Sequence, residues 1–165
     1  MKEAVILNDQ QIRAKIKRIA FQILESHVDS QKLILAGIAS GGYILAQLIV
    51  KELSKISDIE ISLCEVVMDK SKPNGPIVTS LSPTEYQNQC IVLVDDVLNS
   101  GTTLIYGVCH FLQVPLLQFK TAVLVDRSHK KYPVKADFKG ISLSTSIQET
   151  VKVDLTSKLF SAVLK

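Results

Sequence analysis

Ile91-Val92-Leu93-Val94-Asp95-Asp96-Val97-Leu98-Asn99-Ser100-Gly101-Thr102-Thr103 decides the architecture of this 165-residue chain. Cys90 to Val94 is an uninterrupted apolar run, as expected of a strand buried on both faces, and two carboxylates close it. A loop runs on to Thr103, and a helix is expected from about Leu104 to Leu112. Open α/β sheets bind ligands beyond the carboxyl ends of their strands, which is where this acid pair falls. Ser100-Gly101-Thr102-Thr103, opening a helix, offers one anion unpaired N–H groups, two or three hydroxyls and the positive end of a helix dipole. Gly101 permits close backbone approach. Carboxylates followed by an anion cradle suit a ligand with sugar hydroxyls at one end and a phosphate at the other, which describes a ribose 5-phosphate.

The flanking sequence repeats the same alternation. Asp9 is expected to cap a helix carrying Ile12, Ile16, Ile19, Ile23 and Leu24 on one apolar stripe. Leu33 to Ile38 reads as a buried strand, Tyr43 to Leu53 as a helix with Ile44, Leu45, Leu48 and Ile49 inward, and Ile59 to Val67 as a strand. Phe119 to Val125 is a further buried strand. Between Asp69 and Gln89 lies a polar stretch in which Pro73, Pro76 and Pro83 forbid a regular element across most of its length. Loops of that length in a compact domain are usually functional or disordered. Buried strands alternating with amphipathic helices predict an α/β fold of one domain, its mostly parallel sheet covered on both faces.

Composition excludes several classes. A 47% hydrophobic chain without low-complexity runs is not disordered. Cys64, Cys90 and Cys109 are odd in number and widely spaced, so neither a disulfide framework nor a zinc knuckle is expected, and a reducing cytoplasm fits. The charge-free stretch from Leu33 to Val50 approaches membrane-span length, but Ala39-Ser40-Gly41-Gly42 breaks it. The run Met1 to Val5 is too short an apolar segment for a secretion signal. No Gly-x-x-x-x-Gly-Lys or Gly-x-Gly-x-x-Gly occurs. A receiver domain also pairs acids at a strand end, but at its first strand, whereas two strands precede the pair here. His27 and His110 show no metal-ligand spacing.

The Asp95-to-Thr103 segment resembles the phosphoribosyl pyrophosphate motif of the type I phosphoribosyltransferases. The chain is most similar to their PyrR-type subgroup, bifunctional uracil phosphoribosyltransferases and pyrimidine-operon attenuation regulators. Ala4-Val5-Ile6-Leu7, Ile12-Arg13, Arg18-Ile19-Ala20, Leu35 to Ala46, and Ala122 to His129 through Pro133, Ala136-Asp137 and Gly140 carry that likeness in order. It implies a parallel sheet with a small hood and a flexible loop over about 69–89, and dimers or multiples of dimers. It also implies a Mg2+-dependent transfer of phosphoribosyl from phosphoribosyl pyrophosphate to a nucleobase, uracil to UMP foremost. The alternative is an RNA-binding attenuation regulator that uses the pocket to sense nucleotides.

By that resemblance Asp95 and Asp96 meet the ribose hydroxyls, and Val97 to Thr103 hold the 5-phosphate. Ala39-Ser40-Gly41-Gly42 forms the pyrophosphate loop, Lys70 and Lys72 reach pyrophosphate from the flexible loop, and Mg2+ arrives on the substrate rather than in a protein cage. Asp126, Phe138 and Lys139 are the expected base contacts, Phe138 by stacking. Arg18, Arg127 and His129 match the RNA-binding pattern. The chain departs from the subgroup in the pyrophosphate loop, where the PyrR pattern has a lysine and an arginine and this sequence has neither. Several late-loop arginines also read as Lys130, Lys131 and Lys135, which hold phosphate as point charges without arginine's bidentate reach.

Overall fold

A computed structural model describes residues 4–127, 129–146 and 149–165. The first three residues of the run read against a secretion signal, and Ser128 within the stretch of family likeness, lie outside them. The chain order is β1 (Ala4–Leu7), α1 (Asp9–Ser26), β2 (Lys32–Ile38), α2 (Gly41–Ile56), β3 (Glu60–Val67), β4 (Val78–Thr79), α3 (Pro83–Tyr86), β5 (Cys90–Leu98), α4 (Thr102–Phe111), β6 (Gln118–Asp126), β7 (Phe138–Ser142), β8 (Val151–Asp154) and β9 (Ser161–Leu164).

Six strands form the main sheet in the order β4-β3-β2-β5-β6-β7. All neighbours are parallel except β4, which runs antiparallel to β3 at the edge. The central β5 lies between β2 and β6, with Leu35 opposite Val92 and Asp95 opposite Val123. Alternate side chains of each buried strand go to opposite faces, which splits the core in two. Leu33, Leu35, Val92, Val94, Ala122 and Leu124 pack with the apolar stripes of α1 and α2. Ile34, Ala36, Ile38, Ile91, Leu93 and Val123 pack with Leu104 and Phe111 of α4 and with Tyr86. A second sheet, antiparallel in the order β1-β9-β8, joins the two chain ends and forms the hood.

Several local expectations need correction. Asn8, not Asp9, caps α1: its side chain accepts the Gln11 N–H while the Gln11 side chain returns a bond to the Asn8 N–H, closing a capping box. Asp9 instead accepts from Arg13 and from the Phe160 N–H, tying α1 to the chain's end. Of the residues expected inward on α2, Leu45 and Ile49 are fully buried, whereas Ile44 and Leu48 are only half-buried and Ala46 and Leu53 complete the buried stripe. α4 starts at Thr102, two residues ahead of expectation, because the Ser100-Thr102 hydroxyl pair organises its first turn.

The presumed flexible loop is more ordered than its prolines imply. Its second half holds β4 and the single turn α3, where Pro83 occupies the first helical position and Ser82 and Glu85 form another capping box. Proline starts a helix without penalty because its missing N–H would have no partner there. Tyr86 then inserts into the second core at 1% exposure, edge-on to Phe111 with centroids 5.0 Å apart. Removing an aromatic ring buried to this extent costs about 3–5 kcal/mol. Tyr86→Ala is therefore expected to lose roughly that much in urea unfolding, whereas a residue of a detached loop would cost almost nothing.

Candidate functional site

The site is built where β5 passes β2 and turns into α4. Asp95 is 4% exposed although it carries a carboxylate, and Asp96 beside it is half-buried. Backbone-to-side-chain bonds fix both: Asp96 N–H donates to Asp95 Oδ1 at 3.0 Å, and Val97 N–H donates to Asp96 Oδ1 at 2.9 Å. β5 continues through both acids, so they project from a paired strand rather than from a loop.

The turn from β2 into α2 lies directly against them. A Cβ added to Gly41 would sit 2.2 Å from Asp96 Oδ2, and one on Gly42 would sit 2.5 Å from the Val94 carbonyl oxygen. Only glycine permits this approach, which brings the Ala39-to-Gly42 loop and the acid pair into one site. The peptide between Ala39 and Ser40 is cis.

Beyond the acids β5 runs through a tight turn into α4. Gly101 adopts φ +81° and immediately precedes α4. The Ser100 and Thr102 hydroxyls lie 2.8 Å apart, and the Thr102 N–H donates to Ser100 Oγ. From behind, the Lys131 N–H donates to the Ser100 carbonyl at 2.7 Å, and Val134 packs so tightly on Gly101 that a Cβ there would clash at 2.6 Å. Leu98 belongs to the second core at 2% exposure and lines, with Gly101 and Leu104, a small pocket of about 40 Å3 beside the acids.

A cavity of about 520 Å3 joins these parts, lined by Lys70, both acids, Val97, Asn99, Ser100, Thr102 and Thr103, with Arg127 and Val151 on the far wall. Lys70 Nζ donates to Asp95 Oδ1 at 3.2 Å and brings the segment with Ser71 and Pro73 to the rim. Lys72 is exposed and does not line the cavity. Burial pushes the Asp95 carboxyl up to about 7; Lys70 opposes this rise and the Asp96 charge adds to it.

The three residues expected at the base lie outside the lining of this cavity. The β6–β7 register sets Phe138 opposite Ala122, four residues before Asp126, and its ring is 7% exposed in the first core. Phe138 therefore packs between sheet and helix and has no face for stacking. Asp126, 1% exposed, is engaged by Lys139 at 3.2 Å and Lys130 at 3.6 Å, and neither Asp126 nor Lys139 lines the cavity. Val151 of β8 and Arg127 take that wall instead. Nothing in the sequence marks Val151, one of two valines in a four-residue strand.

Of the three residues matched to the RNA-binding pattern, Arg18 is exposed, His129 half-buried and Arg127 buried. Arg127 is 4% exposed; its guanidinium donates to Asn99 Oδ1, Thr145 Oγ1 and the Ser146 and Glu149 carbonyls. It is an internal strut between the cradle and the segment leading to β8. His129 Nε2 contacts the Thr145 carbonyl, and Arg18 donates to the Lys139 and Gly140 carbonyls. Among the described residues no helix is long and apolar enough to cross a membrane, and no cluster of three or more His, Cys, Asp or Glu could hold a metal by itself.

A strand-end acid pair, an anion cradle and a glycine loop from the adjacent crossover, on a sheet with a terminal hood, define a phosphoribosyltransferase. The phosphoribosyl transferase domain model matches residues 4–158, and the chain belongs to that family. Among curated proteins it is similar to the bifunctional protein PyrR of Bacillus cereus, with 32% identity over 93% of this chain and 91% of that protein. PyrR of Bacillus thuringiensis matches at the same identity and coverage. Among solved structures the fold is shared with a hypoxanthine-guanine phosphoribosyltransferase of Bacillus anthracis, with TM-score 0.72, 15% identity and coverage of 87% and 84% of the two chains. A Trypanosoma cruzi hypoxanthine phosphoribosyltransferase complexed with its product IMP gives TM-score 0.76 at 16% identity, covering 86% of this chain and 72% of that one.

The raised Asp95 carboxyl has a consequence for stability. An acid whose folded pKa lies above its unfolded 3.8 destabilises the fold as pH rises through the interval up to about 7. Asp95→Asn removes that ionisation. The variant is expected to be more stable than the parent by ~2–4 kcal/mol at pH 8, with the difference shrinking towards pH 4, in urea unfolding across that range.

Proposed function

We propose that this protein is a Mg2+-dependent phosphoribosyltransferase that transfers the 5-phosphoribosyl group of phosphoribosyl pyrophosphate to a free nucleobase, uracil in preference, to give UMP. The observation that carries this reading is the shared cavity of about 520 Å3 onto which the acid pair and the Ser100-to-Thr103 cradle both open. In it the 5-phosphate meets the N–H groups and hydroxyls that start α4, and the ribose hydroxyls meet Asp95 and Asp96. The choice of uracil rests on the resemblance to PyrR-type proteins. Val151 and Arg127 bound the side left for the base.

Catalysis follows from where charge develops. As the bond from C1 to pyrophosphate breaks, the ribose ring becomes cationic, and two fixed carboxylates against it stabilise that charge more than the neutral ground state. Asp95 must be ionised to contribute, and Lys70 at 3.2 Å favours that form. The segment bearing Lys70, Ser71 and Pro73 covers one rim, which helps to keep water from competing with the base. The donor set suits Mg2+: hard carboxylate oxygens on Asp95 and Asp96, with no closed protein cage among the described residues. Bound with the substrate, that ion supplies charge neutralisation for the departing pyrophosphate. Free thiols at Cys64, Cys90 and Cys109 support a reducing, cytoplasmic setting.

The test is release of pyrophosphate from phosphoribosyl pyrophosphate with Mg2+, run in parallel with uracil, hypoxanthine, guanine, xanthine, adenine and orotate. Turnover is expected with uracil. Asp95→Asn and Asp96→Asn should each lower kcat about a hundredfold or more, the order lost with one preorganised electrostatic group. Undiminished turnover in both variants contradicts the mechanism, and turnover with a purine alone replaces the substrate.

A further inference from the structure

The pyrophosphate loop raises an electrostatic problem that the rest of the site does not solve. Ala39-Ser40-Gly41-Gly42 has no cation, and the N–H groups of the first turn of α2 are its only positive feature. A leaving group with several negative charges beside two carboxylates needs more than that. Lys70 approaches from the first cavity, on the Asp95 side.

A second cavity, of about 340 Å3, opens on the other side of the acid pair. Ser40, Gly41 and Asp96 form one wall, and Lys152, Asp154 and Thr156 of the hood form the other. Asp96 lines both cavities, so a ligand seated on it can extend into either. Of β8, Val151 lines the first cavity, and Lys152, Val153 and Asp154 line the second. Lys152 makes no ion pair among the described residues, unlike Lys55, Lys70, Lys130 and Lys139. Its backbone is held in register opposite Val163 of β9, so the ammonium projects from a paired strand. The other charge on that wall, Asp154, is engaged by its own turn, accepting from the N–H and hydroxyl groups of both Thr156 and Ser157.

We propose that Lys152 supplies the cation that the Ala39-to-Gly42 loop lacks, contacting the pyrophosphate of phosphoribosyl pyrophosphate from the hood while the first turn of α2 binds it from below. This rests on the phosphoribosyltransferase reading and adds to it a residue of a different element. The charge then sits on the strand facing the loop, and the hood becomes part of the pyrophosphate site. A lysine suits the position, since a compact ammonium on a flexible stem meets a polyanion as a point charge without demanding a planar fork.

Calorimetric titration of the whole protein with Mg2+-pyrophosphate, with phosphoribosyl pyrophosphate and with UMP separates the possibilities. Lys152→Met should weaken pyrophosphate and phosphoribosyl pyrophosphate about tenfold, the order of one lost charge-assisted hydrogen bond, and leave UMP, which has no pyrophosphate, unchanged. Lys152→Arg should recover most of the loss. Unchanged Tm is expected in both variants because the side chain is exposed and unpaired. If Lys152→Met binds pyrophosphate like the parent, the proposal is wrong while the phosphoribosyltransferase reading stands. If the parent protein binds neither phosphoribosyl pyrophosphate nor UMP, the underlying reading fails, and this proposal with it.

Discussion

A carboxylate at 4% exposure, pressed by a two-glycine turn, is the constraint around which this molecule is organised. Burying an ionisable group costs free energy unless partners compensate, and among the described residues Asp95 is bonded by the Asp96 N–H and Lys70. The fold tolerates this because β5 lies at the centre of the sheet, between β2 and β6, and its backbone has nowhere else to go. Gly41 and Gly42 follow from the same constraint, since any side chain there would displace the acids. The glycine loop is therefore as much a consequence of the acid pair as a ligand-binding device of its own. Preorganisation of this kind, with strain held at the site and stability supplied by the two cores, is what a reaction passing through a cationic sugar requires.

Positive charge is distributed accordingly. Lys70 stands on one side of the acids and Lys152 on the other, carried by elements distant in sequence, while the loop between them is neutral. Arg127, which could pass for a surface cation, is buried and joins the cradle at Asn99 to the segment ahead of β8. It couples the Asn99 end of the cavity to the segment that leads to Val151. A positive residue in the sequence thus has three distinct fates here: cavity lining, internal strut, or partner of a strand-end acid, as with Lys139 on Asp126.

The parts legible in the sequence were those with short-range signatures. The apolar run ending in Asp95-Asp96, the Ser-Gly-Thr-Thr turn and the Ile12-Ile16-Ile19-Ile23 stripe each determine their own local structure, and their alternation implies a mostly parallel sheet without fixing its strand order. What escaped depends on long-range pairing. Phe138 has the composition of a base-stacking residue, but strand register decides its face, and register against β6 turns it into the core. Val151 enters the cavity only because β8 pairs with β9, which in turn pairs with β1 from the other end of the chain. Tyr86 was hidden because three prolines made its surroundings read as loop, although proline at the first position of a turn is favourable. Asn8 lost its cap to Asp9 on paper because both residue types serve, and only the reciprocal bond from Gln11 separates them.

The account stands on one seat for one ligand: the phosphoribosyl group, with its phosphate on the start of α4 and its hydroxyls on the acid pair. Backbone amide NMR during titration with ribose 5-phosphate tests this without reference to the base, the metal or turnover. Saturable shifts concentrated at Asp95, Asp96 and Ser100 to Thr103 are the predicted result. Shifts that saturate elsewhere, for instance in the Arg13 and Lys51 groove between α1 and α2, or no saturable shift at all, would contradict it.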